Sequence, residues 1–336
     1  MNFLSKLILV VSIFCIITNT TQAMSSYFLM TPEDDKIPLF TSKDEHQKIL
    51  DTHLATTINP EITISQHCLE IDKDVSVNFS WYQSGKAELI VLAVGKGGTP
   101  KDKLPFIKEF TQNYDVITFD YEWQNPAPLY KRLARIASPL KRYFEHNYRE
   151  IHAIVNYVRQ QKKYDCIIGH AECYSAFMFV KAQALNGDIQ LFDKLVLDSP
   201  ILSVKNVIKS LFKNPALCAN PLDGESSVLV KTLVGNKLFL KLIDICSKDY
   251  SIQEYLAKIN IPVLFIRGMN DAMVNEGDFL TLWKTANDLK VAFMTPYHHA
   301  DSFKQKNGRR EYLYIENLFI QNAFAVLLSQ NLFLGE

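Results

Sequence analysis

Short runs of consecutive apolar residues recur along the chain, separated by longer amphipathic stretches. Continuous apolar runs predict strands buried on both faces, as in a parallel sheet, and amphipathic stretches between them predict helices. The clearest predicted helix covers Tyr148 to Gln161, with apolar residues at helical spacing. The alternation predicts a doubly wound, mostly parallel α/β sheet. The predicted strands are Leu89–Val94, Val116–Phe119, Cys166–Gly169, Leu195–Asp198, Pro262–Ile266 and Val291–Met294.

Two further patterns complete the predicted organisation. Alternating runs at Cys68–Ile71 and Val75–Trp81 predict an antiparallel hairpin that extends one edge of the sheet. The interval 201–257 is too long for an ordinary connection and contains several helical patterns, so it predicts a helical lid inserted between two core strands. The predicted division is a signal peptide at 1–23, a lead-in at 24–60, core at 61–200, lid at 201–257 and core at 258–336.

The N-terminal segment has the layout of a signal peptide. Lys6 precedes an apolar run from Leu7 to Ile17, and Thr21-Gln22-Ala23 supplies small and polar residues before a cleavage point. The run is too short to span a bilayer comfortably, which favours cleavage over an uncleaved anchor. We therefore expect export, to the periplasm or the medium.

Composition narrows the classes of partner. Lys plus Arg and Asp plus Glu both total 36, so no charge bias points to nucleic acid. A basic stretch within 129–144 predicts a solvated helix face rather than peripheral membrane contact. Five cysteines remain after removal of the signal, which leaves at least one unpaired within the chain, although Cys218 and Cys246 could bridge. No Cys/His spacing fits zinc, so we expect neither a metal nor a cofactor. The sequence does not determine the oligomeric state.

The segment after the third apolar run carries the first candidate chemistry. Gly169-His170-Ala171-Glu172-Cys173-Tyr174-Ser175 resembles the nucleophile elbow of the α/β-hydrolase superfamily, a strand followed by Gly-x-Ser-x-Gly and a helix. In this alignment Ala171 takes the usual nucleophile position and cannot attack a carbonyl. A register two residues later makes Cys173 the nucleophile, and Ser175 is a third alternative.

Two later segments resemble the acid and histidine segments of the same superfamily. Asp271 follows a predicted strand and Gly268, in the position of the family's acid. His298 and His299 follow the last predicted strand, and the residues after His299 favour it as the catalytic histidine. The order of nucleophile, acid and histidine along the chain is also the family's order.

The resemblance also implies an oxyanion hole and a class of activity. It assigns the two backbone donors to Lys96 and Glu172, after the first core strand and beside the elbow. Within the superfamily the chain looks most like the lid-bearing serine aminopeptidase and monoglyceride-lipase-like group. The implied activity is cleavage of an ester, other acyl or amide bond of a small acyl or peptide-like ligand under the lid. The alternative is a catalytically inactive pseudo-hydrolase that binds a ligand or protein.

Overall fold

The computed structural model describes residues 62–72, 75–95, 100–121, 141–187, 189–203, 251–300 and 306–322, with 206, 210 and 303. The predicted signal peptide and lead-in lie outside the described residues. So do Lys96, Cys218, Cys246, most of the predicted lid, and the basic stretch as far as residue 140. No helix within these ranges has the length and apolar character needed to cross a membrane.

Within the described ranges, eight strands form one sheet in the order β1-β2-β4-β3-β5-β6-β7-β8. The hairpin pairs β1 with β2 antiparallel, β2 also pairs antiparallel with β4, and every other neighbouring pair is parallel. The predicted edge hairpin and mostly parallel core are therefore confirmed. The strands are β1 Thr63–Asp72, β2 Val75–Gln83, β3 Glu88–Ala93, β4 Asp115–Asp120, β5 Cys166–Glu172, β6 Lys194–Asp198, β7 Val263–Gly268 and β8 Lys290–Thr295.

Helices cover both faces of the sheet, because its central strands carry buried apolar side chains on both faces. Side chains of α1 and α6 pack in one apolar cluster, and side chains of α2, α3, α4 and α5 pack in the other. The helices are α1 Pro100–Phe110, α2 Lys141–Gln161, α3 Tyr174–Leu185, α4 Gln253–Leu256, α5 Glu276–Thr285 and α6 Lys306–Ile320. The carboxyl ends of the parallel strands meet at one edge, where such sheets hold their reactive groups.

Strand β5 is longer than its apolar run predicts. It continues through Gly169 and His170 to Glu172, and it stays paired with β3 and β6 over that length. A β-carbon added to Gly169 would lie 2.7 Å from Leu195 Cδ2 and 2.8 Å from Phe179 Cδ1. The glycine is therefore needed where α3 and β6 pack closely against β5, and it does not form a turn.

Candidate active site

The turn between β5 and α3 is occupied by Cys173. Its backbone has φ 53° and ψ −115°, a conformation that non-glycine residues rarely adopt outside functional sites. Ala171, expected at the nucleophile position, instead lies inside β5 and is fully buried. The alignment that placed Ala171 on the turn is therefore wrong by two residues. Gly169-His170 matches the start of the elbow motif in sequence. The strand nevertheless continues past these residues, because α3 packs against β5 at Gly169.

Small residues on either side of Cys173 allow the tight turn. Ala171 and Ser175 are fully buried, and the Ser175 hydroxyl donates a hydrogen bond to the Val94 carbonyl at 2.6 Å. Ser175 is thus turned into the interior and does not lie on the turn as a nucleophile. Gly95, after β3, also approaches closely, since a β-carbon there would lie 3.1 Å from Cys173 Cβ. The absence of a side chain at Gly95 keeps the space beside the thiol open.

The loop after β7 holds the candidate acid. Asp271 is buried, and its Oδ1 accepts hydrogen bonds from the backbone N–H groups of Met273 and Val274 at 2.8 and 2.9 Å. The buried Arg267 side chain donates from Nε to the Val274 carbonyl at 3.1 Å, which fixes the loop. Burial alone would raise the pKa of Asp271, but the charge and hydrogen bond of His299 and the two backbone donors lower it. The carboxylate is therefore stable as the anion.

The loop after β8 brings His299 to this acid. Nδ1 of His299 lies 2.8 Å from Asp271 Oδ2, whereas His298 is exposed and its Nδ1 contacts the Asn270 carbonyl at 3.1 Å. The two loops pack against each other so tightly that a β-carbon on Gly268 would lie 2.3 Å from the Tyr297 carbonyl oxygen. The structure therefore pairs His299, rather than His298, with Asp271.

Cys173 is the second side chain that acts on His299. Burial alone would lower the pKa of His299, but interaction with Cys173 and with Asp271 raises it well above its usual value. Nε2 of His299 is buried, and no described residue gives it a hydrogen bond of standard geometry. Nε2 therefore forms no hydrogen bond to the thiol in this geometry, as is common in resting catalytic sites. The arrangement suits a thiolate–imidazolium pair oriented by a carboxylate.

The backbone donors differ from the expected ones. Glu172, predicted to supply an oxyanion-hole N–H, is a buried residue of β5 whose backbone pairs with β6. The residue that follows the turn is Tyr174, the first residue of α3, in the position that the elbow motif gives to this donor. Lys96, the other predicted donor, lies outside the described residues. The prediction of Glu172 as a donor is wrong for the same reason as the prediction of Ala171 as the nucleophile position, namely the two-residue extension of β5.

The described residues contain no group of three or more His, Cys, Asp or Glu side chains arranged to hold a metal ion. Cys173, His299 and Asp271 lie instead after β5, β8 and β7, at the carboxyl edge of a doubly wound sheet. Strand order, loop placement and chain order together define the α/β-hydrolase fold.

Comparison with solved structures agrees with this fold. The chain is similar to an esterase of Pyrococcus furiosus, with 13% identity, TM-score 0.60, and coverage of 85% of this chain and 95% of that one. It is also similar to an α/β hydrolase from Penicillium sp. sh18, with 11% identity, TM-score 0.52, and coverage of 77% and 98%. A third similar structure is the acylaminoacyl peptidase of Pyrococcus horikoshii, with 15% identity, TM-score 0.52, and coverage of 80% and 43%.

No protein-family model matches the sequence, and no curated protein matches it. The structural similarities, at identities of 11–15%, show the fold. A fold of this kind hosts many activities, and the side chains of the site determine which one.

Proposed function

We propose that the protein is an acyl hydrolase with a cysteine nucleophile. The observation that carries the proposal is the position of Cys173 on the strained turn between β5 and α3, beside the hydrogen-bonded pair of His299 and Asp271. A thiolate stabilised by an imidazolium is both a good nucleophile and a good acyl acceptor. The esterase and peptidase among the similar structures support a hydrolytic reaction by analogy of fold alone.

The proposed reaction has two steps. The Cys173 sulfur attacks the acyl carbon, and the developing oxyanion is stabilised by the Tyr174 N–H. The leaving group departs with a proton from His299, which leaves a thioester on Cys173 and a neutral imidazole. His299 then takes a proton from water as the water attacks the thioester, and the thiolate and imidazolium are restored. Asp271 holds the His299 ring in the orientation and tautomer that both steps need.

The substrate class that we propose is a small ester or thioester with an acyl group that fits under the predicted lid. We propose that an amide is a poorer substrate, because the thiolate is a better leaving group than an amine and the tetrahedral intermediate then returns to the amide. The test is turnover of p-nitrophenyl acetate by the wild type and by Cys173→Ala and Asp271→Ala. Activity unaffected by both substitutions would refute the mechanism.

The alternative of a catalytically silent binding module was favoured by an alanine at the elbow. Ala171 lies inside β5, so that observation no longer supports it. It would be supported instead by a purified protein that retains an acyl ligand and hydrolyses no ester.

We also propose that the protein acts outside the cytoplasm, on the evidence of the signal-like segment 1–23. Among the described residues, Cys68, Cys166 and Cys173 are free thiols, so no disulfide there adds to this evidence. The test is the N-terminus of the accumulated protein in fractionated cells of a secreting host. A chain that begins at Met24 outside the cytoplasm supports export, and an intact N-terminus in the cytoplasm refutes it.

A further inference from the structure

Strand β6 ends in a two-residue corner, Asp198–Ser199, that contacts both sides of the candidate site. The Cys173 N–H donates a hydrogen bond to the Asp198 carbonyl at 2.8 Å. The Ser199 hydroxyl oxygen accepts the N–H of Ala300, the residue after His299, at 2.9 Å. One corner is therefore hydrogen bonded to the nucleophile turn and to the histidine loop.

The geometry of this corner is closely constrained. Ser199 and Ala300 have φ of 49° and 46°, in the left-handed region that non-glycine residues seldom occupy. The Ser199 N–H donates to the Ile266 carbonyl of β7 at 2.8 Å, and its hydroxyl donates to Asp198 Oδ1 at 2.9 Å. Asp198 and Ser199 are both almost completely buried. The hydroxyl thus has one fixed direction, in which its oxygen faces the Ala300 N–H.

A buried polar chain that includes residues of helix α6 lies near Asp198. The Tyr312 hydroxyl interacts with Asp198 and lies 3.2 Å from His170 Nε2, and His170 Nδ1 lies 2.8 Å from Glu316 Oε1. His170, Tyr312 and Glu316 are all shielded from solvent. This chain packs beside Asp198, whose Oδ2 is buried and accepts no hydrogen bond from the described residues, so Ser199 holds the carboxyl group through Oδ1.

We propose that the Asp198–Ser199 corner is a positioning element that sets the separation between the Cys173 thiol and His299. Ser199 is its central positioning residue, because its hydroxyl fixes the backbone immediately after His299. This inference rests on the proposed cysteine-hydrolase function. It assigns to Ser199 a role in catalysis through His299, without contact with the substrate.

The role of the corner is geometric rather than electrostatic. Burial raises the pKa of Asp198, against the hydrogen bond of Ser199 and the charges of His170 and His299, so the ionised form is disfavoured. The carboxyl groups of Glu172 and Glu316 lie nearby and interact electrostatically with His170 and Tyr312. Asp198→Asn keeps an oxygen acceptor for the Ser199 hydroxyl and carries no charge. We therefore expect Asp198→Asn to lower kcat less than either substitution that removes the Ser199 hydroxyl.

The kinetic test uses two substitutions of Ser199. Both Ser199→Ala and Ser199→Gly remove the hydroxyl, and glycine also tolerates the positive φ. We expect each to lower kcat for p-nitrophenyl acetate about 10- to 100-fold with KM within about threefold, because small displacements of catalytic groups have costs of this size. The matched control is Ser84→Ala. The Ser84 hydroxyl also contacts a carbonyl and a carboxylate, at 2.8 and 3.2 Å, but at the amino edge of the sheet.

A second readout separates this inference from the proposed function. The tryptic peptide 164–181 carries Cys166 and Cys173, so fragment masses report iodoacetamide alkylation at each thiol. Burial raises the pKa of Cys166 to about 11, which makes it a slow internal reference at pH 6–7. We expect Cys173 to be alkylated much faster than Cys166 in the wild type, and the ratio to fall at least fivefold in both Ser199 variants.

Each outcome has a distinct meaning. A wild type whose Cys173 is no more reactive than Cys166, and which turns over no ester, contradicts the proposed function. A reactive, active wild type with Ser199 variants that match it in kcat and alkylation ratio overturns only the positioning role. A Ser199→Gly variant that fails to fold also overturns it, because the hydroxyl would then serve global stability. A loss in the Ser199 variants that exceeds the loss in Asp198→Asn, with retention in Ser84→Ala, supports the inference.

Discussion

Replacement of Asp271 by asparagine tests the pairing of acid and base with almost no change in shape. The asparagine oxygen can still accept the N–H groups of Met273 and Val274, so the loop should keep its conformation. Its amide nitrogen would face His299 Nδ1 and donate to it. The proton of a neutral imidazole would then stand on Nε2, which could no longer accept a proton. We therefore expect a folded protein with a defective base.

The distance between Asp271 and His299 gives the size of the effect. Unit charges at the observed 2.8 Å attract by about 6 kcal/mol at an effective dielectric constant of about 20. A charge-assisted hydrogen bond contributes a net stabilisation of about 1.5–3 kcal/mol, which gives the lower bound for the effect of Asp271→Asn. Only 18% of the His299 side chain is exposed, so solvent screens the pair weakly. With about 1.4 kcal/mol per tenfold change, kcat/KM should fall between about 10- and 10,000-fold.

The assay is p-nitrophenyl acetate hydrolysis across pH 5–9, with thermal unfolding to check the fold. Asp193→Asn is the matched control. Asp193 is also partly buried and accepts a backbone N–H, that of Ile167, at 2.7 Å, but at the amino end of β5. We expect its kcat/KM to stay within about twofold. If the Asp271→Asn protein retained more than a third of the wild-type kcat/KM, the proposed role of Asp271 would be wrong.

Three further predictions concern stability, measured by chemical denaturation. Gly169→Ala should lower the unfolding free energy by about 1–3 kcal/mol, because its methyl would crowd three core side chains. Gly277→Ala, in the first turn of α5, should have a smaller effect, because its methyl would meet one atom, the Asn275 side-chain oxygen, at 3.2 Å; equal effects would contradict the β5 register. The unfolding free energy of Cys173→Gly should exceed that of Cys173→Ala by about 1–2 kcal/mol, since glycine tolerates φ 53°. Equal unfolding free energies of the two variants would show that the turn is unstrained. The pKa of His299 is raised above 6.5 in the folded protein, so the stability that its protonation contributes is complete below pH 6.5 and is lost as pH rises through the folded pKa. The unfolding free energy of the wild type should therefore exceed that of His299→Gln by an amount that declines from pH 6 to 10. A difference that does not decline would contradict the raised pKa.

The sequence predicted the sheet well and the elbow poorly, for physical reasons that differ. Apolar runs predict buried strands because the central strands of a two-sided sheet must bury both faces, and each predicted core run overlaps an observed strand with at most one residue outside it. The end of β5 depends instead on packing between distant residues. Gly169 has no room for a side chain beside Phe179 and Leu195, which sequence position alone does not reveal. The pattern of small residues around Cys173 was the one available clue.

The contribution of Ser199 could not be predicted from the sequence. Its link to the residue after His299 joins positions 101 residues apart along the chain. It also depends on a positive φ at each end of the hydrogen bond. A serine before a proline at a strand end is an ordinary chain-reversal pattern, and nothing in it indicates a partner on the histidine loop. Only the assembled sheet brings the ends of β6 and β8 together.

The central claim is that Cys173 forms a covalent acyl intermediate with the help of His299. The most direct measurement is rapid acid quench of the protein with p-nitrophenyl acetate, followed by mass analysis of peptide 164–181. We predict one acetyl group on Cys173, removable by hydroxylamine, that forms far more slowly in His299→Ala. Ester turnover that persists in Cys173→Ala, or an acetyl group found only on another residue, would contradict the account.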